Sequence, residues 1–290
     1  MVRAFIETLR PKQWIKNLVI FAGLIFDGQL LVRKPLLTVF AAFLLFCLVS
    51  GITYTINDLM DLRSDRAHPI KKLRPIASGR LPINVAVITA ILLSLIAFPC
   101  AFLLKPLFGL ICVSYTLLML AYSKWLKHIM LVDVLVIAIG FVIRVVAGIS
   151  VITVKFFSPW LLILTTFLAL YLGFGKRLSE LKLLQQSAGE HRKVLEGYTV
   201  ELLNQFLVVI TSAILITYVL YTFNAHLNQN QYVSMATIPF VLYGIFRYTF
   251  IIQTSTAAGS PEEVLLHDRP LQFTILLWGI LILLNLYLLV

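Results

Sequence analysis

Long apolar stretches dominate this chain and decide what it can fold into. A helix needs about 20 apolar residues to cross a bilayer, and 60% of the 290 residues are hydrophobic. Soluble domains have an apolar share of roughly 45 to 50%. We therefore predict an all-α polytopic membrane protein, a single integral domain over 1–290 with nine transmembrane helices. The predicted spans are 15–32, 36–57, 82–104, 107–123, 131–152, 159–176, 202–224, 233–253 and 271–290.

Charged residues are distributed unevenly between the two sides of the predicted membrane. With the N-terminus inside, most of the 24 Lys and Arg residues lie in inner segments, and so do all of the 13 acidic residues except Asp27. The positive-inside rule then makes the N-terminus cytoplasmic, and the clustered acids predict an active face on the same side of the cell's inner membrane. The formal net charge of +11 suits anionic lipids and anionic substrates. The basic residues lie in short loops against the bilayer, which argues against a nucleic-acid partner.

An acidic motif lies where the second span ends. Its sequence is Asn-Asp-x-x-Asp-x-x-x-Asp at 57–65, so that Asn57, Asp61 and Asp65 recur at every fourth helical position. Like charges at this spacing repel unless a cation neutralises them. Mg²⁺ prefers oxygen ligands and usually binds one or two carboxylates together with substrate phosphates. We predict a Mg²⁺ and diphosphate site made by Asn57, Asp58, Asp61 and Asp65, with Asp61 and Asp65 catalytic. The alternative is a solvated loop outside the membrane.

Cationic residues around this motif are the predicted phosphate ligands. The loop that follows the acids contains Pro69 and Pro75, which stiffen it, and it presents Lys71, Lys72 and Arg74. Cations beside a departing diphosphate stabilise its negative charge, although membrane topology alone also demands cations in an inner loop. Further predicted substrate-binding residues are Lys12, Lys16, Asn17, Arg66, Tyr122, Lys124, Lys127 and Tyr198.

Two charged residues lie within the predicted fifth span. Asp133 and Arg144 are three helical turns apart and so share one side of the helix. At 1.5 Å per residue, Arg144 lies about 16 Å from the cytoplasmic end. We expect Arg144 to point into a cavity with an anionic partner, and both residues to shape a substrate pocket.

A cationic motif closes the predicted sixth span. Lys176, Arg177 and Glu180 belong to Gly-Lys-Arg-x-x-Glu at 175–180, and we predict that they are catalytic. Arg is well suited to bidentate phosphate contact. A simple ion pair between Lys176 and Glu180, four residues apart, is the alternative.

These motifs together resemble the UbiA superfamily of intramembrane prenyltransferases, in which the first acidic motif binds Mg²⁺ and a diphosphate. The second Asp-x-x-x-Asp motif of that family is replaced here by the motif at 175–180. The opening Arg-Pro-x-Gln-Trp-x-Lys-Asn at 10–17, the loop at 65–79 and the segment 261–269 are similar to one branch of the family, the decaprenyl-phosphate phosphoribosyltransferases.

The resemblance implies a helix bundle around a central cavity and a defined reaction. A 5-phosphoribosyl group would pass from phosphoribosyl diphosphate to a polyprenyl phosphate such as decaprenyl phosphate, with release of diphosphate. The product would be a precursor of cell-wall arabinan, Mg²⁺ would be the cofactor, and membrane lipids would be partners. The resemblance leaves open whether the protein forms a homo-oligomer. The alternatives are a prenyl diphosphate to aromatic acceptor transferase and a non-enzymatic lipid or ion transporter.

Overall fold

The computed structural model describes residues 1–67, 71–155, 158–186, 193–223, 230–254 and 261–288. Within these ranges the protein is helical and has no β-strand. Pro69 of the predicted stiff loop lies outside the described residues. The α-helices are α1 (Val2–Thr8), α2 (Ala22–Phe26), α3 (Arg33–Met60), α4 (Leu62–Ala67), α5 (Ile83–Leu104), α6 (Pro106–Lys124), α7 (Val132–Ser150), α8 (Pro159–Gln186), α9 (Val200–Phe223), α10 (Gln231–Ala236), α11 (Ile238–Thr254), α12 (Pro261–His267) and α13 (Arg269–Tyr287). Short 3₁₀ helices cover Pro11–Phe21, Lys71–Leu73, Leu126–His128 and Lys193–Gly197.

Eight of the predicted spans are confirmed as membrane-length helices in the described part of the chain. They are α3, α5, α6, α7, α8 as far as Leu183, α9, α10 together with α11, and α13. Proline sets one of the boundaries: Lys105 has an extended backbone (φ −163°, ψ 131°) and precedes Pro106 at the start of α6. A residue before proline is kept out of the helical region, and proline itself fits the first helical position. The turn from α5 to α6 therefore follows from local sequence.

The described residues form two compact units that share helix α7. The first consists of Met1–Trp125 and Ile143–Phe157, and the second of Leu126–Val142 and Ser158–Val290. Each unit has its own apolar core. The core of the first includes Ile20, Leu24, Phe46, Phe108 and Tyr115, and that of the second includes Val134, Tyr171, Leu178, Leu203 and Ile252. A single domain over 1–290 stays a prediction.

The predicted first span, 15–32, is built differently from the others, so the count of nine is not confirmed. A 3₁₀ helix over Pro11–Phe21 leads into the five-residue α2 and then into a turn. In that turn Asp27 accepts a hydrogen bond from the backbone N–H of Lys155 at 3.0 Å, and Gln29 donates to the carbonyl of Thr153 at 2.8 Å. Long 3₁₀ helices are uncommon because their hydrogen bonds have poorer geometry. Packing within the first unit must therefore hold this segment.

Close packing against the C-terminal half of α7 provides that support. A Cβ atom added at Gly148 would overlap the carbonyl oxygen of Ile20, and one added at Gly23 would lie 2.6 Å from Ile149 Cγ1. Ile20 and the neighbouring Leu24 are fully buried. Glycine at these positions lets the two backbones approach closely, as small residues do between membrane helices.

We predict that Gly148→Ala lowers the free energy of unfolding by about 1–3 kcal/mol, the usual cost of overpacking, because the new methyl group meets backbone that cannot move aside. Gly279→Ala in α13 is the matched control, since no atom of the described residues lies within 4 Å of its added Cβ. Thermal unfolding of the purified protein in detergent measures both variants. Equal melting temperatures would show that the 3₁₀ segment does not depend on this contact.

Candidate active site

The acidic motif keeps helical register beyond the end of α3. The backbone N–H of Asp61 donates to the carbonyl of Asn57 at 2.9 Å, and that of Asp65 donates to the carbonyl of Asp61 at 2.8 Å. Asn57, Asp61 and Asp65 therefore occupy successive turns, across the junction between α3 and α4. Their oxygen atoms are presented along one stretch of backbone.

Two acids of the motif are buried and bound by arginines. The side chains of Asp58 and Asp65 are each only 3% exposed. Nη1 of Arg74 donates to Asp58 Oδ1 at 3.0 Å and to Asp65 Oδ2 at 2.6 Å, and Arg10 also donates to Asp58 Oδ1. A buried carboxylate needs such a counter-charge, since desolvating a lone ion costs several kcal/mol. Arg74, a predicted phosphate ligand, here joins two carboxylates.

The loop that carries Arg74 is fixed on α1. Ile76 and Leu81 of the loop are buried beside Ala4 of α1. Arg80 donates to both carboxylate oxygens of Glu7, at 2.8 and 2.9 Å. This hydrogen bonding lowers the pKa of Glu7 below its ordinary value, although desolvation by burial acts in the opposite direction. The loop is thus held by apolar and ionic contacts within the first unit.

Arg10 is a site residue that sequence reasoning missed. Its guanidinium group contacts Asp58 and lies 4.9 Å from the centre of the Tyr54 ring. Its backbone is left-handed, with φ +52°, a conformation that costs a residue with a side chain free energy and that often occurs at functional sites. The sequence signal that could have indicated Arg10 as a site residue was its position immediately before Pro11 in the opening motif.

Arg144 and Asn17 form a buried polar network in the first unit. Arg144 donates from Nε to Asn17 Oδ1 and from Nη2 to the hydroxyl of Tyr115, both at 2.8 Å. Asn17 donates in turn to Ser50 Oγ at 3.1 Å. These partners of Arg144 are an amide and a phenol, whereas the sequence predicted an anion. Asn17, a predicted substrate ligand, is buried, and its amide joins Arg144 to α3.

A second charged cluster is buried in the second unit. Arg177 is 1% exposed and donates from Nε to Asp133 Oδ2 at 2.7 Å, where Asp133 is 0% exposed. Arg177 also donates to Glu180, and the hydroxyl of Tyr198 donates to Asp133 Oδ1 at 2.8 Å. The structure thus brings four predicted site residues together, with Asp133 at their centre.

Tyr198 connects this cluster to the turn before α7. Its hydroxyl accepts a hydrogen bond from the backbone N–H of Leu131 at 2.8 Å, and Leu131 has a left-handed backbone with φ +67°. Burial raises the pKa of Tyr198 to about 12, the Leu131 N–H lowers it, and the bond to Asp133 raises it. Tyr198 is therefore protonated at neutral pH, so its hydroxyl can donate the hydrogen bond to Asp133.

The other predicted substrate-binding residues are more accessible. Lys71, Lys72, Lys12, Arg66 and Lys124 are exposed, and Lys16, Tyr122 and Lys127 are half-buried. Arg66 donates to the carbonyl of Ala77 at 3.3 Å, and Lys124 Nζ lies 4.5 Å from the centre of the Trp125 ring. Lys176 Nζ lies 4.0 Å from Glu180 Oε1, the distance of a loose ion pair.

The acidic motif offers oxygen ligands for a divalent ion. Across the described residues, no three His, Cys, Asp or Glu side chains converge closely enough to hold a metal by themselves. Asn57 and Asp61 nevertheless present oxygen atoms in adjacent turns, and the arginine contacts use Oδ1 of Asp58 and Oδ2 of Asp65. This set fits Mg²⁺, which commonly takes few protein ligands and completes its shell with water and substrate phosphates.

Comparison with known proteins identifies the family. Residues 18–175 match the model of the UbiA prenyltransferase family. This chain belongs to the UbiA prenyltransferase family. The resemblance predicted from the motifs is therefore confirmed, and the protein is a multi-pass membrane protein of the UbiA family.

Curated relatives resemble this UbiA protein over almost its whole length. It is 32% identical over 286 residues to decaprenyl-phosphate phosphoribosyltransferase of Mycobacterium tuberculosis, an alignment that covers 96% of this chain and 92% of the relative. The protein of the same name in Corynebacterium glutamicum is 32% identical over 289 residues, with 97% and 86% covered.

A solved structure shares the fold of this UbiA protein. The structure of a UbiA homolog from Archaeoglobus fulgidus bound to DMAPP and Mg²⁺ superposes with a TM-score of 0.70 at 18% identity. The match covers 97% of this chain and 98% of that one. At this identity the likeness shows the helical fold.

We predict that Asp133→Asn lowers the free energy of unfolding by about 3–5 kcal/mol, because it leaves the buried charge of Arg177 without this counter-charge. Glu180→Gln is the control, since Glu180 contacts the same arginine from a partly exposed position, with a side-chain exposure of 26%. We expect it to cost about 1 kcal/mol or less. Thermal unfolding in detergent compares them, and an equal loss in both variants would refute a central role for Asp133.

Proposed function

We propose that this protein transfers the 5-phosphoribosyl group of phosphoribosyl diphosphate to a polyprenyl phosphate and releases diphosphate. The observation that carries the proposal is the 32% identity to decaprenyl-phosphate phosphoribosyltransferases across 96% of the chain. Decaprenyl phosphate is the proposed acceptor, and the product is the proposed precursor of cell-wall arabinan. The proposed location is the inner membrane, with the site on the cytoplasmic side, where the sequence places most cations.

The acidic motif supports a divalent metal cofactor. Asn57 and Asp61, with Asp58 or Asp65, would hold Mg²⁺, and the A. fulgidus homolog of the same fold is described as bound to Mg²⁺. When bound, the metal would act as a Lewis acid for the diphosphate. Asn57, Asp61 and Asp65 lie in consecutive helical turns across the junction of α3 and α4, so the backbone places these ligands at regular intervals.

Residues of this chain would bind and orient the two substrates. The bond between the anomeric carbon of ribose and the diphosphate oxygen breaks, and a phosphate oxygen of the acceptor forms a bond to the same carbon from the opposite face. That oxygen is already anionic, so the reaction needs no strong general base. Lys71 and Lys72 are exposed in the loop that also carries Arg74, and they are suited to hold substrate phosphates by charge.

Two arginines that are bound to buried carboxylates would act as positioning residues. Arg74 links Asp58 and Asp65, and Arg177 is almost completely buried against Asp133. Both arrangements fix carboxylates and leave direct phosphate contact to more exposed cations, among which Lys176 adjoins Arg177 in sequence.

Incubation of the purified protein with labelled phosphoribosyl diphosphate, polyprenyl phosphate and Mg²⁺ tests the proposal. We expect label in the lipid fraction, no transfer after chelation of the metal, and a loss of at least about 100-fold in Asp61→Ala, in line with the removal of a major electrostatic group. Glu201→Ala, at an exposed acid in the first turn of α9, should keep full activity.

Two outcomes would contradict the proposal. Full metal-dependent turnover in Asp61→Ala would show that the acidic motif is not part of the active site. Transfer of a dimethylallyl group to an aromatic acceptor, with no transfer from phosphoribosyl diphosphate, would establish the alternative prenyltransferase reaction.

A further inference from the structure

The turn at 126–132 leads into α7 and carries Lys127, one of the predicted substrate-binding residues. Leu131 of this turn has a left-handed backbone, with φ +67°. That conformation is costly for a residue other than glycine, and it persists only where the surrounding structure holds it. Contacts with the rest of the second unit must therefore fix the shape of this turn.

Tyr198 and Gly197 contact the left-handed part of the turn. The hydroxyl of Tyr198 accepts a hydrogen bond from the backbone N–H of Leu131 at 2.8 Å. Just before it in the chain, a Cβ atom added at Gly197 would lie 2.9 Å from the sulfur of Met130, so the two segments approach closely. Leu131 itself is 39% exposed, and burial of its side chain therefore does little to hold the turn.

The segment that supports the turn is anchored in the apolar core of the second unit. Val194 and Leu195 belong to the 3₁₀ helix Lys193–Gly197 and are only 3% and 4% exposed. This helix also packs against the 3₁₀ helix Leu126–His128, which contains Lys127. The position of Lys127 therefore depends on a segment that the core holds in place.

The hydroxyl of Tyr198 also reaches the cationic motif. It donates to Asp133 Oδ1 at 2.8 Å, while Arg177 donates to the other oxygen of the same carboxylate at 2.7 Å. Lys176, a more exposed cation, precedes Arg177 in α8. One oxygen atom of Tyr198 thus joins the turn that carries Lys127 to the cluster beside Lys176.

We propose that Tyr198 is a positioning residue, whose hydroxyl holds Lys127 where this lysine binds a phosphate group of phosphoribosyl diphosphate. This inference rests on the proposed phosphoribosyl transfer and adds a residue that affects the donor without touching it. Because the same hydroxyl binds both the turn and Asp133, it keeps Lys127 at a constant spacing from the cationic motif. Constant spacing suits a donor with several phosphate groups, since a misplacement of about 1 Å can greatly slow a reaction.

A double-mutant cycle tests whether Tyr198 acts through Lys127. We expect Tyr198→Phe and Lys127→Ala each to raise KM for phosphoribosyl diphosphate at least about tenfold, the effect of losing one hydrogen bond to a charged group, with little change in kcat. A change in KM alone marks lost substrate binding. The double variant should match Lys127→Ala, since the effects of two residues that share one interaction do not add.

Tyr171→Phe is the matched control for Tyr198→Phe. Tyr171 is 1% exposed, and its hydroxyl is also bonded, to the carbonyl of Ile245 in α11 at 2.8 Å. We expect this variant to keep the wild-type KM. Three results would overturn the proposal: an unchanged KM in Tyr198→Phe or in Lys127→Ala, losses that multiply in the double variant, or an equal rise of KM in Tyr171→Phe.

Hydrogen exchange of the full-length protein gives a readout that needs no turnover. In Tyr198→Phe the backbone amides of 129–132 should exchange faster than in the wild type, and unchanged exchange would overturn the proposal. Leu131→Gly, added to Tyr198→Phe, should bring KM back toward the wild-type value, because glycine adopts the left-handed conformation without steric cost. Absence of any recovery would show that Tyr198 does not act by holding the turn.

Binding of inorganic diphosphate in the presence of Mg²⁺ separates this inference from the proposed function. The same cycle of Tyr198→Phe and Lys127→Ala is measured by calorimetry as changes in Kd. If the wild-type protein transfers no phosphoribosyl group, yet both variants bind diphosphate more weakly and the double variant matches Lys127→Ala, the proposed function fails while the positioning role stands.

Discussion

Buried carboxylates at the end of a membrane-length helix have to be neutralised, and this requirement shapes the part of the protein around the end of α3. Asp58 and Asp65 are buried where water cannot solvate them, so Arg10 and Arg74 reach them from separate segments. The loop that carries Arg74 is in turn tied to α1 through Arg80 and Glu7. The same rule holds in the second unit, where Arg177 is buried against Asp133. Ion pairing, together with apolar contacts, thus holds the loop that carries Arg74, and it joins α7 to α8, because an unpaired buried charge would cost several kcal/mol.

The fold was largely predictable because its signals are local. Eight apolar stretches became helices, since a backbone in lipid must satisfy its own hydrogen bonds. The stretch 15–32 carried a similar apolar signal, yet it forms a 3₁₀ helix, a short α-helix and a turn. That outcome depends on the close approach of Gly148 to Ile20 and on the bonds of Asp27 to a distant backbone. Contacts of this kind leave no periodic trace in the sequence.

The candidate site was predictable in its composition and much less in its pairing. Spacing alone indicated that Asn57, Asp61 and Asp65 lie on successive turns, and the backbone bonds keep that register. Sequence reasoning assigned Arg74 and Arg177 to phosphates because of their charge, but in the structure each binds carboxylates. Arg177 and Asp133 are 44 residues apart along the chain. Only tertiary structure determines which acid an arginine meets at that separation.

The cations of this UbiA protein differ in whether they are bound to buried carboxylates, and this difference sets what each of them can do chemically. An arginine that is bound to buried carboxylates, as Arg74 and Arg177 are, would act as a positioning residue, since moving it to a phosphate would leave those acids without a counter-charge. An exposed lysine such as Lys71 or Lys72 can change partners at little cost in free energy, because its charge stays solvated on a flexible side chain. The proposed reaction between two multiply charged substrates would use both kinds of cation. The arginines would hold the acidic ligands at constant spacing, and the exposed lysines would follow phosphates as they bind and leave. Arg74, Lys71 and Lys72 would provide this combination within one short stretch of chain beside the acidic motif.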